Sequence, residues 1–241
     1  MHNRSQILIA IPAYNEEASI INTIETCKSD FPSAELLIVN DCSTDNTLEL
    51  IIQSGVNFLS LPINLGVGGA MRAAFHFALI NDFSILIQVD ADGQHNPRDV
   101  EKLIDKSSNF DIVIGSRFLM TEGYKVDWIR KFAITITSKY LYLITKKSIS
   151  DPTSGFRLSN RKAIELFAHS YPIEYLGDTV GSIVLANING LSIGECASPM
   201  NERQGGKPSQ NPLKSVAHLF RTLIAITMMK LGNKKIVEEG K

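Results

Sequence analysis

The sequence predicts an α/β fold with a mostly parallel central sheet flanked by helices. Two observations support this prediction. Five short apolar runs of strand length alternate with segments of helical pattern in the first half of the chain. Those runs are almost continuously apolar, as expected for parallel strands buried on both faces. With 241 residues, the chain is long enough for one large domain, and we treat 1–241 as a single domain.

The first half reads as successive strand and helix units. The predicted strands are 7–11, 36–40, 56–61, 85–89 and 111–115. The helices between them begin at Glu16 and Glu17, whose acids suit a helix N-terminus, at a cap formed by Asp45 or Asn46, at Gly66, and at Pro97. The loop 12–15 separates the first strand from its helix.

The pattern changes after Gly115. The sequence predicts helices over 128–145, 161–169 and 179–187, polar loops over 151–157 and 201–210, a strand over 191–195, and a C-terminal amphipathic helix over 212–231. We divide the domain into a nucleotide-binding half, 1–117, an acceptor-side half, 118–211, and the amphipathic helix with its tail, 212–241.

Composition excludes several classes of protein. The formal net charge of -1 gives no general attraction to nucleic acid. The three cysteines are widely spaced and form no CxxC pair, so we expect neither a zinc site nor a disulfide framework, and a reduced, cytoplasmic setting is the simplest interpretation. We find no signal peptide pattern and no apolar run approaching the roughly 20 residues that span a bilayer.

The most informative motif is the end of the fourth strand. The apolar run 85–89 stops at Asp90 and Asp92, one residue apart, followed by Gly93, Gln94 and His95. Two neighbouring carboxylates repel each other unless a divalent cation lies between them and a polyphosphate, and Mg²⁺ and Mn²⁺ favour such oxygen ligands. An ordinary turn is the alternative, because Asp and Gly are common in turns.

Other strand ends also carry polar groups, but the two common nucleotide-binding glycine motifs are missing. The loop after the first strand is Pro-Ala-Tyr-Asn, without the G-x-G-x-x-G of a dinucleotide fold, and the chain holds no P-loop. With these two motifs absent, we expect a nucleotide to bind at a sheet edge, where acidic side chains contact a base or ribose and a metal-bound diphosphate.

Seven motifs in order resemble the family 2 glycosyltransferases with a GT-A fold. The resemblance is strongest to the branch that holds dolichyl-phosphate mannose synthase and the bacterial polyprenyl-phosphate sugar transferases. The motifs span nearly the whole chain, at 11–17, 39–45, 64–70, 90–95, 115–117, 151–157 and 203–209. This resemblance implies a nucleotide-diphospho-sugar donor, a divalent metal ion, either Mg²⁺ or Mn²⁺, and inversion at the anomeric carbon.

The resemblance also implies roles for individual residues. Asp41 contacts the base, Asp90 contacts the ribose or a metal-bound water, Asp92 ligates the metal, and Gln94 adds a contact near it. Asp90 is also considered as a second ligand of the metal ion. The remaining residues placed at the donor are Pro12, Ala13, Tyr14, Glu16, Gly69, Arg72, Ala91, Arg117, Arg203 and Lys207.

Several of these residues have plainer interpretations. Arg72 reaches the phosphates or is a solvated surface residue, and Arg117 resembles the family's phosphate-contacting arginine. Arg157 either pairs with Asp151 to shape its loop or contacts an acceptor phosphate. Arg203 and Lys207 belong to a glycine-containing loop that is either solvated or folds over the diphosphate as a lid.

A catalytic base is expected among two acids. Transfer to a hydroxyl needs a carboxylate to accept the proton, whereas an acceptor phosphate is already anionic. Asp178 and Glu174 lie where family members with a base place it, although Asp178 also looks like a helix N-cap. The dolichyl-phosphate branch shows a different pattern here, which weakens a lipid-phosphate acceptor.

The C-terminal helix, 212–231, has an apolar stripe flanked by basic residues and is too short to span a membrane. We consider peripheral contact with the inner face of a membrane, docking onto the domain, and a homodimer interface. The favoured function is a metal-dependent inverting transferase acting on polyprenyl phosphate or a lipid-linked glycan. The alternatives are a non-catalytic sugar-nucleotide-binding protein and a transferase for a soluble hydroxyl acceptor.

Overall fold

A computed structural model describes residues 6–93, 99–119, 128–173, 177–199 and 227. It confirms the α/β fold, with a seven-stranded, mostly parallel sheet flanked by helices. The strands are β1 (Ile7–Ala13), β2 (Glu35–Asn40), β3 (Asn57–Ser60), β4 (Ile85–Gln88), β5 (Ile112–Ser116), β6 (Arg157–Asn160) and β7 (Ile193–Ala197). The helices are α1 (Ile20–Asp30), α2 (Thr47–Gln53), α3 (Gly66–Ile80), α4 (Val100–Lys106), α5 (Trp128–Thr145), α6 (Arg161–Ser170) and α7 (Ser182–Ile188). A π-helical turn, Gly177–Gly181, leads into α7.

The strand order is β3-β2-β1-β4-β6-β5-β7. Neighbouring strands are parallel except for β6, which runs antiparallel to both β4 and β5. The sheet therefore combines strands from both sides of residue 117, so the predicted halves share one structural layer.

Each face of the sheet has its own hydrophobic core. In β1, Leu8 and Ala10 belong to the cluster that includes α3, α6 and α7, whereas Ile9 and Ile11 belong to the cluster that includes α1 and α4. Because both sets of alternating side chains are buried, the strand is apolar at every position. This packing explains why the continuous apolar runs identified β1, β2 and β4.

The structure differs from the predicted elements in several places, including the strand predicted over 191–195, which is β7 (Ile193–Ala197), and the helix predicted over 179–187, of which α7 covers Ser182–Ile188. β6 begins at the last residue of the predicted polar loop 151–157, and the sequence predicts no strand there. Pro12 and Ala13, predicted as loop, extend β1 by pairing with β2. Helix α1 begins at Ile20 rather than at Glu16. Asp178 lies inside the π-helical turn, so it is not the N-cap of α7.

None of the helices in the described part of the chain has the length and apolar content needed to cross a bilayer. The predicted opening of a helix by Pro97 and the loop 201–210 lie outside the described residues. Of the predicted helix 212–231, only Thr227 is described, and it is helical. Its hydroxyl shares a hydrogen bond with the hydroxyl of Tyr140 on α5, a contact that agrees with docking of this segment onto the domain.

Candidate active site at the carboxyl edge of the sheet

Three neighbouring parallel strands bring the predicted site residues to one edge. β1 lies between β2 and β4 and is parallel to both. Tyr14 and Asp41 come directly after β1 and β2, and Asp90 lies two residues after β4, so all three residues follow strand ends on the same side. The carboxyl edge of parallel strands is where α/β sheets bind ligands.

Hydrogen bonds join the loops that follow β1 and β2. Asn15 N–H donates to Ser43 Oγ at 3.1 Å, and Asn15 Oδ1 accepts from Thr44 N–H at 2.8 Å. Glu16 N–H donates to Thr47 Oγ1 at 2.8 Å. Asn15 itself has a positive φ of 55°, a conformation that Asn tolerates better than most residues. The two loops thus form one rigid wall of the edge, beside which the ring of Tyr14 is 47% exposed.

Asp41 forms the floor next to this wall. It is buried, and its Oδ1 accepts the Leu65 N–H at 2.7 Å where α3 begins. Burial raises the pKa of Asp41 above its usual value, against the opposing hydrogen bonds from the Leu65 and Gly66 backbone. A buried carboxylate that is held in place in this way is suited to accept hydrogen bonds from a heterocyclic base.

The Asp90–Asp92 turn is anchored through its middle residue. Ala91 is buried, and its carbonyl oxygen accepts the Thr23 hydroxyl of α1 at 3.1 Å. Asp90 and Asp92, on either side, are only half-buried. Gly93 completes the turn with a φ of 72°, which glycine adopts without strain. The anchoring presents both carboxylates at the sheet edge.

Gly155 packs directly against Asp90. A Cβ atom at Gly155 would lie 2.8 Å from Asp90 Oδ1 and 3.0 Å from Oδ2. Gln88 Nε2 approaches Asp90 Oδ1 from the strand at 3.4 Å. The loop that precedes β6 therefore forms the second wall of the site, and a side chain at position 155 would displace the carboxylate.

The residues present fit a divalent cation that shares its coordination with a substrate. In the described part of the chain, no three His, Cys, Asp or Glu side chains converge closely enough to hold a metal ion by themselves. Mg²⁺ and similar ions are commonly held by one or two carboxylates together with substrate phosphates and waters. Asp90 and Asp92 supply that number, while the predicted ligand Gln94 and the neighbouring His95 lie outside the described residues.

The π-helical turn carries Asp178, the first of the two predicted bases. Burial raises its pKa to about 6, an effect opposed by the Arg157 guanidinium and reinforced by the negative charge of Asp90. A carboxylate with this pKa is a good proton acceptor near neutral pH. The structure thus brings the predicted base close enough to Asp90 for the two charges to interact. Glu174, the other predicted base, lies outside the described residues.

Two predicted arginines have partners within the protein. Arg117 is buried, with its Nε 2.6 Å from Asp151 Oδ2 and its Nη2 2.7 Å from Asp151 Oδ1. Arg72 is exposed, and its Nη2 donates to the His169 carbonyl at 2.7 Å. Both remain predictions as donor contacts, and so do Arg203 and Lys207, which lie outside the described residues.

Arg157 does not form the predicted pair with Asp151. Its guanidinium instead donates to the Pro152 and Ser154 carbonyls, so it does hold the loop in shape, but through neutral oxygens. Asp151 is taken by Arg117. Sequence reasoning also missed Thr23 and Gly155, because their contacts with the Asp90–Asp92 turn span 60 residues or more and no local pattern indicates them.

A small cavity of about 10 Å³ is lined in part by Gln88, Arg157, Tyr171 and Ser182. It has room for at most about one water molecule. A nucleotide-sized ligand therefore belongs at the open sheet edge and not in this cavity.

Comparison with known proteins shows which family this sequence matches. The sequence model of Glycosyl transferase family 2 matches residues 8–167. An uncharacterized protein of Methanocaldococcus jannaschii is 30% identical over 199 residues, covering 80% of each chain.

Two of the relatives with named activities are bacterial enzymes. The undecaprenyl-phosphate mannosyltransferase of Micrococcus luteus is 31% identical over 159 residues, which are 63% of this chain and 65% of the relative. The polyprenol monophosphomannose synthase of Mycolicibacterium smegmatis is 29% identical over 66% of this chain. The matched region spans just under two thirds of the length of each of these two relatives.

The fold matches a solved enzyme. Glucosyl-3-phosphoglycerate synthase from Mycobacterium tuberculosis, in complex with phosphoglyceric acid, superposes with a TM-score of 0.71 at 20% identity, over 94% of this chain and 80% of that chain. The same enzyme in complex with Mn²⁺, UDP and glucosyl-3-phosphoglycerate superposes with a TM-score of 0.69 at 19% identity. At this identity the likeness establishes the fold.

Proposed function

The chain belongs to glycosyl transferase family 2 and is a nucleotide-sugar-dependent glycosyltransferase; within that family we propose that it transfers a sugar, with inversion, to a membrane-associated acceptor. The acceptor is a polyprenyl phosphate or a lipid-linked glycan. The observation that carries the proposal is the convergence of Tyr14, Asp41 and the Asp90–Asp92 turn on one sheet edge, with Asp178 close enough for its charge to interact with that of Asp90.

Each part of this edge has a chemical task. The exposed Tyr14 ring offers a stacking surface, and Asp41 accepts hydrogen bonds from the base. Asp90 and Asp92 would hold Mg²⁺ or Mn²⁺ against the donor diphosphate. When bound, that cation stabilises the negative charge that develops as the nucleoside diphosphate departs.

Two observations bear on the acceptor. The two bacterial relatives described above are named an undecaprenyl-phosphate mannosyltransferase and a polyprenol monophosphomannose synthase, which favours an acceptor phosphate. The raised pKa of Asp178 beside Asp90 favours a hydroxyl acceptor, because only a hydroxyl needs a base. Such a hydroxyl could belong to a lipid-linked glycan or, in the alternative function, to a soluble acceptor.

A donor panel tests the proposal. Thermal shift with UDP and GDP, each with and without Mn²⁺, shows whether the donor carries uracil or guanine. Turnover is then measured with the matching diphospho-sugars, using undecaprenyl phosphate and lipid-linked glycans as acceptors. We expect one nucleotide to stabilise the protein only when Mn²⁺ is present, and one acceptor class to be glycosylated. Tight donor binding without turnover on any acceptor would instead support a non-catalytic sugar-nucleotide-binding protein.

We further expect peripheral membrane association through the segment 212–231, at the cytoplasmic face. Each basic residue flanking its apolar stripe adds about 1 kcal/mol near an anionic surface. Flotation should show binding to anionic vesicles that weakens on neutral vesicles and with added salt. Truncation before Pro212 should abolish flotation and leave Mn²⁺-dependent nucleotide binding intact. A full-length protein that does not float at low salt would assign the segment to the domain, as the Tyr140–Thr227 contact suggests, or to a homodimer.

A further inference from the structure

Arg157 is a buried cation at the centre of the sheet. It is the first residue of β6, paired in register with Gln88 of β4 and with Ile114 of β5, and it is 6% exposed. Gln88 is two residues before Asp90. The guanidinium therefore lies directly behind the edge that carries the proposed metal site.

The hydrogen bonds of Arg157 join two separate segments. Nε donates to the Ser154 carbonyl at 2.7 Å and Nη2 to the Pro152 carbonyl at 2.8 Å. On the other side, Nη1 donates to the Thr179 carbonyl at 2.8 Å and to Ser182 Oγ at 2.9 Å. A planar guanidinium can bind both segments at once, whereas an ammonium group is a single point.

Each of these segments holds one side of the site. The loop 152–155 ends at Gly155, which packs against the Asp90 carboxylate. The π-helical turn carries Asp178, and its Thr179 carbonyl also accepts the Ser182 hydroxyl at 2.9 Å. Because a π-turn is a rare and wide conformation, side-chain hydrogen bonds to its carbonyls help to define its shape.

The charges around Arg157 fit this arrangement. Burial lowers the pKa of Arg157, and the neighbouring Tyr171, Asp178, Asp151 and Glu195 oppose that effect. A buried guanidinium also needs acceptors for its hydrogen bonds, and four oxygens of the two segments accept from Arg157. Asp178 is linked to Arg157 by this charge interaction and by the neighbouring Thr179 carbonyl, which accepts from the guanidinium.

We propose that Arg157 is a positioning residue that sets the distance between the Asp90 side and the Asp178 side of the active site. It touches neither donor nor acceptor. It acts through the two backbone segments that it joins. The proposal deepens the proposed function and rests on it only for its effect on turnover.

The experiment compares Arg157→Met and Arg157→Lys with Arg161→Met as a matched control. Arg161 begins the adjacent helix α6, and its partners are the surface residues Asp82 and Glu165 and the carbonyl oxygen of Phe83. The first measurement is amide hydrogen exchange of the protein without ligands. In Arg157→Met, we expect exchange in 152–155 and in 178–182 to accelerate by about 10-fold or more while α1 and α2 keep their protection. The control should leave both segments unchanged.

The second measurement separates positioning from binding. For Arg157→Met, we expect kcat to fall about 100-fold, as small misplacements of reacting groups do, while KM for the donor and the affinity for nucleotide with Mn²⁺ change less than about 3-fold. Arg157→Lys should recover part of kcat, because it keeps the charge and one of the two attachments. If Arg157→Met does not fold, Arg157→Lys replaces it in both measurements.

Failure of the proposed function can be distinguished from failure of the positioning role of Arg157. A wild-type protein that glycosylates no acceptor contradicts the proposed function, whereas the exchange measurement still decides the role of Arg157. Unchanged exchange in 152–155 and 178–182 overturns the positioning role whatever the activity. Unchanged kcat in a folded Arg157→Met variant, or a loss confined to donor affinity, overturns it as well.

Discussion

Replacing Asp92 with asparagine is expected to abolish the metal dependence of donor binding while the protein remains folded. Asp92 is half-buried in a turn that is anchored through Ala91 and Thr23, so removal of its charge leaves the turn intact. Substitutions around metal ligands typically reduce affinity or activity by 10- to 100-fold, and loss of a direct carboxylate ligand should cost at least about as much.

Calorimetric titration of UDP and GDP, with and without Mn²⁺, measures this effect. The parent should bind one nucleotide far more tightly with Mn²⁺, and Asp92→Asn should bind it weakly under both conditions. Asp105→Asn is the matched control, because Asp105 is exposed on α4, away from the sheet edge. Equal binding by parent and Asp92→Asn in Mn²⁺ would show that the metal site lies elsewhere.

Replacing Asp178 with asparagine is expected to make the protein more stable and less active. Transfer to a hydroxyl should slow by about 10²- to 10⁴-fold, the usual contribution of a general base. Transfer to a polyprenyl phosphate should persist, because that acceptor carries its own charge and the asparagine amide has nearly the same shape as the carboxylate it replaces. The variant therefore distinguishes the two acceptor classes.

The stability change follows from the pKa of Asp178. Folding raises this pKa from the ordinary value of 3.8 to about 6, chiefly through burial. The folded protein therefore loses stability as the pH rises from the unfolded pKa through the folded one, and the whole penalty is present above about pH 6. In the variant we expect a gain of about 1–3 kcal/mol in the free energy of unfolding at pH 8, and little gain at pH 4.

Denaturant unfolding in EDTA at both pH values measures this gain, with Asp105→Asn as the control expected to change by less than about 0.5 kcal/mol. Metal is left out because a nearby cation would itself stabilise the Asp178 carboxylate. A variant that is no more stable at pH 8, or that transfers to hydroxyls at the parental rate, contradicts the assignment of Asp178 as the base.

The strands that could be predicted from the sequence are those with a continuous run of apolar residues. β1, β2 and β4 are buried on both faces, so each is a continuous apolar run that is visible without any structure. Their polar carboxyl ends then located the donor edge, because strand direction alone determines where such ends meet.

β6 could not be predicted in the same way. Its sequence, Arg-Leu-Ser-Asn, contains a single apolar residue, although Arg157, Leu158 and Ser159 are all buried. The polar groups are tolerated because distant partners satisfy them: Arg157 binds Thr179, and Asn160 Nδ2 donates to Asp111 Oδ1. Such partners lie tens of residues away, beyond the reach of local periodicity.

The same limit applies to the charged residues of the site. Glu16 and Glu17 have the pattern of a first helical turn, but Glu17 Oε2 accepts the Asn46 N–H from the neighbouring loop, and the helix begins later. Arg117 resembles a phosphate ligand, yet its partner Asp151 is 34 residues away in the chain. Pattern shows which residues carry charge, whereas tertiary structure decides which charges meet.

The insertion of β6 between β4 and β5 also determines the order in which the chain can be assembled during synthesis. β1 to β4 can pair as soon as they leave the ribosome, but β5 has no edge to join until residues 157–160 emerge, some 40 residues later. A nascent chain that stops near residue 117 would therefore expose β5 and the free edge of β4. We expect the late arrival of this one antiparallel strand to be the step at which the polypeptide most needs protection from aggregation.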